Sequence, residues 1–80
     1  MNDVKKVIEA FKKEFPKRTV EAIIDFDKTN YVVCATSMKE DFNNPYFTYN
    51  KNTGKIGGFS ITANFDKFWD AADNRTIYEK

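Results

Sequence analysis

The chain has 80 residues, 41% hydrophobic and 16% aromatic, with thirteen Lys and Arg, twelve Asp and Glu, and a net charge of +1. That length makes a single domain over residues 1–80, with no room for a second core, and roughly 60–65% of the unfolded surface buried on folding. The composition excludes a disordered chain, and the near-neutral charge argues against a protein whose main task is to coat nucleic acid or an anionic membrane.

The charge is uneven. Residues 1–18 hold Lys5, Lys6, Lys12, Lys13, Lys17 and Arg18 against Asp3, Glu9 and Glu14. Residues 19–50 hold Glu21, Asp25, Asp27, Glu40 and Asp41 against Lys28 and Lys39. Such a dipole orients a protein partner, or simply reflects two solvated faces. The single cysteine, Cys34, has no internal disulfide partner. No apolar run approaches the ~20 residues of a membrane span, and the opening residues lack a signal-peptide core. The expectation is a soluble, cytoplasmic protein of a reducing compartment, with virion association also open.

In chain order, Val4, Val7, Ile8, Phe11 and Phe15 recur at spacings of three and four, predicting an amphipathic helix over residues 4–15. Asn2 or Asp3 caps it, and Pro16 stops it, because the residue before a proline is pushed out of the helical region. "TVEAIIDFD" alternates, with Val20, Ala22, Ile24 and Phe26 on one face and Glu21, Ile23, Asp25 and Asp27 on the other. "DKTN" is a turn, and "YVVCATS" is a second strand, apolar on both faces and so central or covered. Residues 38–45 form the longest connection. "YFTYN" and "KIGGF" are short strands. "ITANFDKFWDAADN" repeats Phe65, Phe68, Trp69 and Ala72 at helical spacing, capped by Thr62 or Asn64 and closed by Asn74. "RTIYEK" is a short extended end.

This order predicts an α+β domain of two layers: an N-terminal helix, an antiparallel meander sheet of three to four strands, and a C-terminal helix. Both helices are expected on one sheet face, packed through Phe11, Phe15, Phe65, Phe68 and Trp69. The opposite face is then open, carrying Ile23 and Asp25, with at least one of Tyr31, Tyr46 and Tyr49 exposed there.

The glycine-rich stretch "NKNTGKIGGFS" is not a phosphate cradle, because Gly54 leads into a strand and not into a helix N-terminus. It reads as a hairpin with Gly54 as the left-handed residue. Gly57 and Gly58 mark either a close approach by Phe47, which lies across from Gly58 if Tyr49 lies across from Ile56, or an open edge for a partner strand.

Catalytic chemistry is thin. There is no histidine, which removes the commonest general base and zinc ligand. Cys34 reads as a small buried residue. Glu21, Asp25 and Asp27 form a solubilising acidic ridge, since "DFDKTN" lacks the glycine of the usual Ca²⁺ loop. No enzyme activity, cofactor, metal or small-molecule substrate is expected. The element order is similar to the double-stranded RNA-binding domain in topology alone, since residues 62–73 are net acidic where that module is basic.

Residues 44–78, "NPYFTYNKNTGKIGGFSITANFDKFWDAADNRTIY", resemble small phage- and prophage-encoded proteins of Gram-positive bacteria, in which a "TGK" turn leads through "GFS" into a helix with "KF" and a closing Asn. The resemblance implies a small α+β accessory or virion-associated protein and carries no catalytic residue. "F-x-Y-N-K-N-T-G-K-I" is also similar to a hairpin of PepSY-type modules, which occur in exported or membrane proteins.

The expected function is a non-enzymatic protein-interaction module that meets another protein or itself through Ile23, Asp25, Tyr31, Tyr46, Tyr49, Gly57 and Gly58. The alternative is a small-ligand or nucleic-acid binder that uses exposed sheet aromatics.

Overall fold

The computed structural model describes residues 3–37, 46–60 and 62–80. Its elements are α1 (Asp3–Glu14), β1 (Arg18–Asp25), β2 (Asn30–Ser37), β3 (Tyr46–Asn50), β4 (Ile56–Gly58), a 3-10 turn (Thr62–Asn64), α2 (Phe65–Asn74) and β5 (Thr76–Glu79). The class is α+β as expected, with an antiparallel sheet flanked by an N-terminal and a C-terminal helix. The sheet has five strands in the order β4-β3-β2-β1-β5. The additional strand is "TIYE" of the extended end, which pairs antiparallel with β1.

The hairpins close as their residues dictate. Between β1 and β2, Asp27 Oδ1 accepts hydrogen bonds from the amides of Thr29 (2.9 Å) and Asn30 (2.7 Å). Between β3 and β4, Asn50 Oδ1 accepts from the amides of Asn52 (2.8 Å) and Thr53 (2.9 Å). Gly54 then takes φ +76°, the left-handed conformation that a side chain disfavours. α1 buries Val7 and Phe11 and gives way at Phe15, one residue before Pro16.

The two helices do not share a face. Val7 and Phe11 of α1 pack with Val20, Ile23, Tyr31, Val33, Ala35 and Tyr49. Phe68 and Ala71 of α2 pack with Ile24, Phe26, Val32 and Phe59 on the other side. The fold is therefore three layers, helix–sheet–helix, and the sheet divides the interior into two apolar clusters where a single core is expected from length. The reason lies in the strands. Successive residues of β2 alternate faces, and Tyr31, Val32 and Val33 are all buried, so each face needs its own cover. β1 contributes a register shift between Val20 and Ala22. Glu21 is the extra residue, and it moves Val20 onto the α1 side with Ile23, while Ile24 and Phe26 serve the α2 side. A strictly alternating strand would put Val20 and Ala22 on the same face.

One residue ties the junction of α2 and the last strand to the end of β1. Arg75 donates from Nε to the carbonyl of Asp25 (2.8 Å) and from Nη2 to that of Phe26 (3.0 Å), while its own carbonyl accepts from the amide of Asp25 (2.9 Å).

Candidate interaction surface

The expected surface residues separate into three groups. Ile23 is fully buried beneath α1, so the open sheet face that it would carry does not exist. Tyr31 and Tyr49 are buried as well, and Tyr46 is half-buried on the opposite side, its ring 5.4 Å from that of Phe68. None of the three tyrosines is exposed, because both sheet faces are covered.

Asp25, Tyr31 and Tyr49 do come together, with Asp3 and Lys51. The Tyr31 hydroxyl donates to Asp3 Oδ2 at 3.0 Å, which fastens the first turn of α1 to the sheet. The Lys51 ammonium lies 2.7 Å from Asp25 Oδ1 and 2.7 Å from the carbonyl of Asp27, over the Tyr31 ring at 4.7 Å. Tyr31 and Tyr49 pack ring to ring, with centroids 6.2 Å apart. Burial pushes the Tyr31 phenol up to about 12, with the hydrogen bond to Asp3 and its charge adding to the effect. A cleft of about 450 Å³ beside this cluster is lined by Asp3, Val4, Asp25, Tyr31 and Ile77. The Tyr31 hydroxyl with Asp3 and the Lys51 ammonium with Asp25 are each engaged with a partner, so the cluster reads as a fastener. A phenol held protonated is no base, and Asp25 is committed to Lys51. Among the described residues, no group of three or more His, Cys, Asp or Glu is arranged to hold a metal ion.

Gly57 and Gly58 lie on β4, which is an edge of the sheet. Phe47 is paired with Gly58 and Tyr49 with Ile56. A side-chain carbon at Gly58 would nonetheless meet nothing within 4 Å, and one at Gly57 would meet only Thr48 Oγ1, at 3.3 Å. Room for Phe47 is therefore not why Gly58 is glycine. Phe47 turns toward Phe11 (5.2 Å) and Phe15 (5.0 Å), under the guanidinium of Arg18 (5.1 Å). The terminal bonds of the β3–β4 ladder run from the Asn50 amide to the Lys55 carbonyl and from the Phe59 amide to the Tyr46 carbonyl. Odd-numbered residues thus pair inward, and the backbone groups of Ile56 and Gly58 point away from the sheet.

The surface feature that sequence periodicity misassigns is on α2. Phe65 and Trp69, expected in the core, are 56% and 46% exposed. Their rings meet edge to face at 6.1 Å, and Trp69 leans on Phe68 at 5.2 Å. At about 100° per residue, the apolar positions 65, 68, 69, 71 and 72 cover an arc of about 160°. A flat sheet face accepts less than that. Ala71 and Phe68, at one end of the arc, are buried, and Phe65 and Trp69, at the other end, remain on the outer flank. The width of the arc is the signal in the sequence that marks this patch.

Cys34 is half-buried on the α2 side, and burial pushes its thiol up to about 11. No helix among the described residues is long and apolar enough to cross a membrane. Comparison with known proteins finds no matching family model, no similar curated protein and no similar solved structure.

Proposed function

We propose that this domain is a non-enzymatic protein-interaction module. The observation that carries the reading is the pair Phe65 and Trp69, two large rings held in solvent on the outside of α2 when so small a domain has strong reason to bury every ring it has. The outward backbone of Ile56 and Gly58 on the β4 edge adds a second point at which another chain could attach by strand pairing. Binding through sheet aromatics, the alternative for a small ligand or a nucleic acid, loses its premise because Tyr31 and Tyr49 are buried. The polar cluster of Asp3, Asp25, Tyr31 and Lys51 supports structure, not turnover. The resemblance of residues 44–78 to phage-encoded accessory proteins fits the same reading.

Amide hydrogen exchange across a concentration series, and with host lysate fractions added, tests it. Slowed exchange at residues 62–74 or 56–58 is the expected result. Exchange unchanged in both segments, with the protein monomeric throughout, would overturn the reading.

A further inference from the structure

On the reading of the domain as an interaction module, we propose that the outer face of α2 docks a basic polypeptide segment, with an arginine or lysine side chain of the partner stacked on Trp69 and Phe65 and its charge met by Asp66, Asp70 and Asp73. The helix geometry puts these groups side by side. At about 100° per residue, Phe65 and Trp69 are about 40° apart, and Asp73, Asp66 and Asp70 follow within about the next 100°. All five are exposed. Asp70 lies 3.9 Å from Arg75, with two-thirds of its side chain in solvent. Asp66 and Asp73 have no ion-pair partner among the described residues. Of the cations nearest in sequence, Lys67 lies over the Phe26 ring at 5.6 Å, and Arg75, beyond its long contact with Asp70, is bound to the carbonyls of Asp25 and Phe26. Three carboxylates against one lysine make α2 negative in a chain whose net charge is positive.

Aromatic rings and carboxylates on one strip select by charge. A cation gains from both, through the ring quadrupole and through direct attraction. A nucleic acid strand would gain stacking but set its phosphates against the carboxylates. A neutral apolar segment would cover the rings and leave the carboxylates partly desolvated without a partner. Arginine suits the strip better than lysine, because its planar guanidinium stacks on a ring while its edges bond carboxylates.

Trp69 is the only tryptophan, so its emission reports the surface directly. The test adds unlabelled nona-arginine to the full chain at low salt, with nona-glutamate as control, and follows labelled nona-arginine by anisotropy. Nona-arginine is expected to shift or quench the emission, and nona-glutamate to leave it unchanged. Trp69→Ala should weaken the peptide roughly two- to fivefold, the range of an exposed cation–ring contact. The double change Asp66→Asn and Asp73→Asn, at exposed positions that leave the core intact, should weaken it at least as much. Emission unmoved by nona-arginine, or affinity unchanged in the double variant, would overturn the proposal. Emission that shifts only with protein concentration, without peptide, would also overturn it, because a second copy is then the occupant. If the peptide has no effect while exchange slows at residues 56–58 with a partner present, this surface falls and the interaction reading stands.

Discussion

Tyr31 shows how a single hydroxyl changes the meaning of a residue. A tyrosine in a strand is equally suited to a contact surface and to a core with a polar rim, and the sequence around Tyr31 does not choose. The choice comes from Asp3, 28 positions away, whose carboxylate accepts the hydroxyl at 3.0 Å. Tyr31→Phe should cost about 1 kcal/mol in chemical denaturation. The pH dependence has a definite sign. The folded-state pKa of about 12 stands above the ordinary value of 10, so the fold favours the protonated phenol. That contribution is whole below pH 10 and is lost as pH rises toward 12. The difference in melting temperature between the native chain and Tyr31→Phe should shrink over that interval and stay constant below it. A difference that does not change between pH 8 and 12 would show that the hydroxyl is not held as described.

At the scale of elements, α2 presents two rings with opposite expected costs. Phe68 is buried against Phe59, Tyr46 and Trp69, so Phe68→Ala should destabilise by about 3–5 kcal/mol. Trp69→Ala removes a ring that is nearly half in water and should cost only about 1 kcal/mol or less. Urea denaturation of the two variants checks the order, and equal losses would mean that α2 is rolled differently on the sheet. The elements themselves were legible: both helices, the two tight hairpins and the left-handed Gly54 follow from periodicity, from Asp27 and Asn50 as turn acceptors, and from Pro16. The roll of α2 was not, because an arc of apolar residues tells how much of a helix is apolar, and not which part the sheet accepts.

For the whole molecule, the layer order was the least legible feature. Helix periodicity says that each helix needs an apolar partner, and it is silent about which side supplies one. Two local facts decided it. β2 is apolar on both faces, which was visible in "YVVCATS", and the register shift at Glu21 shares the residues of β1 between the faces, which was not. A bulge depends on how two strands meet, and one strand's pattern does not display it. Of the candidate surface, the β4 edge with Gly57 and Gly58 was legible from the hairpin. The tyrosine face was not, because an open sheet face follows only if both helices lie on the other side.

The Arg75 fastening has a kinetic consequence. β1 to β4 each pair with a neighbour in sequence, whereas β5 and Arg75 meet β1 across some fifty positions of chain. Contacts that close a long loop repay their entropy only after the rest of the sheet is in place. The bonds from Arg75 to Asp25 and Phe26 are therefore expected to form on the native side of the folding barrier. Arg75→Ala should lose about 1 kcal/mol, and stopped-flow measurements should find nearly all of it in the unfolding limb, about fivefold faster, with the refolding rate almost unmoved. A slowed refolding limb would place the closure of β5 on β1 inside the nucleus. On the expected outcome, the time the native state persists is set by a latch that takes no part in building it.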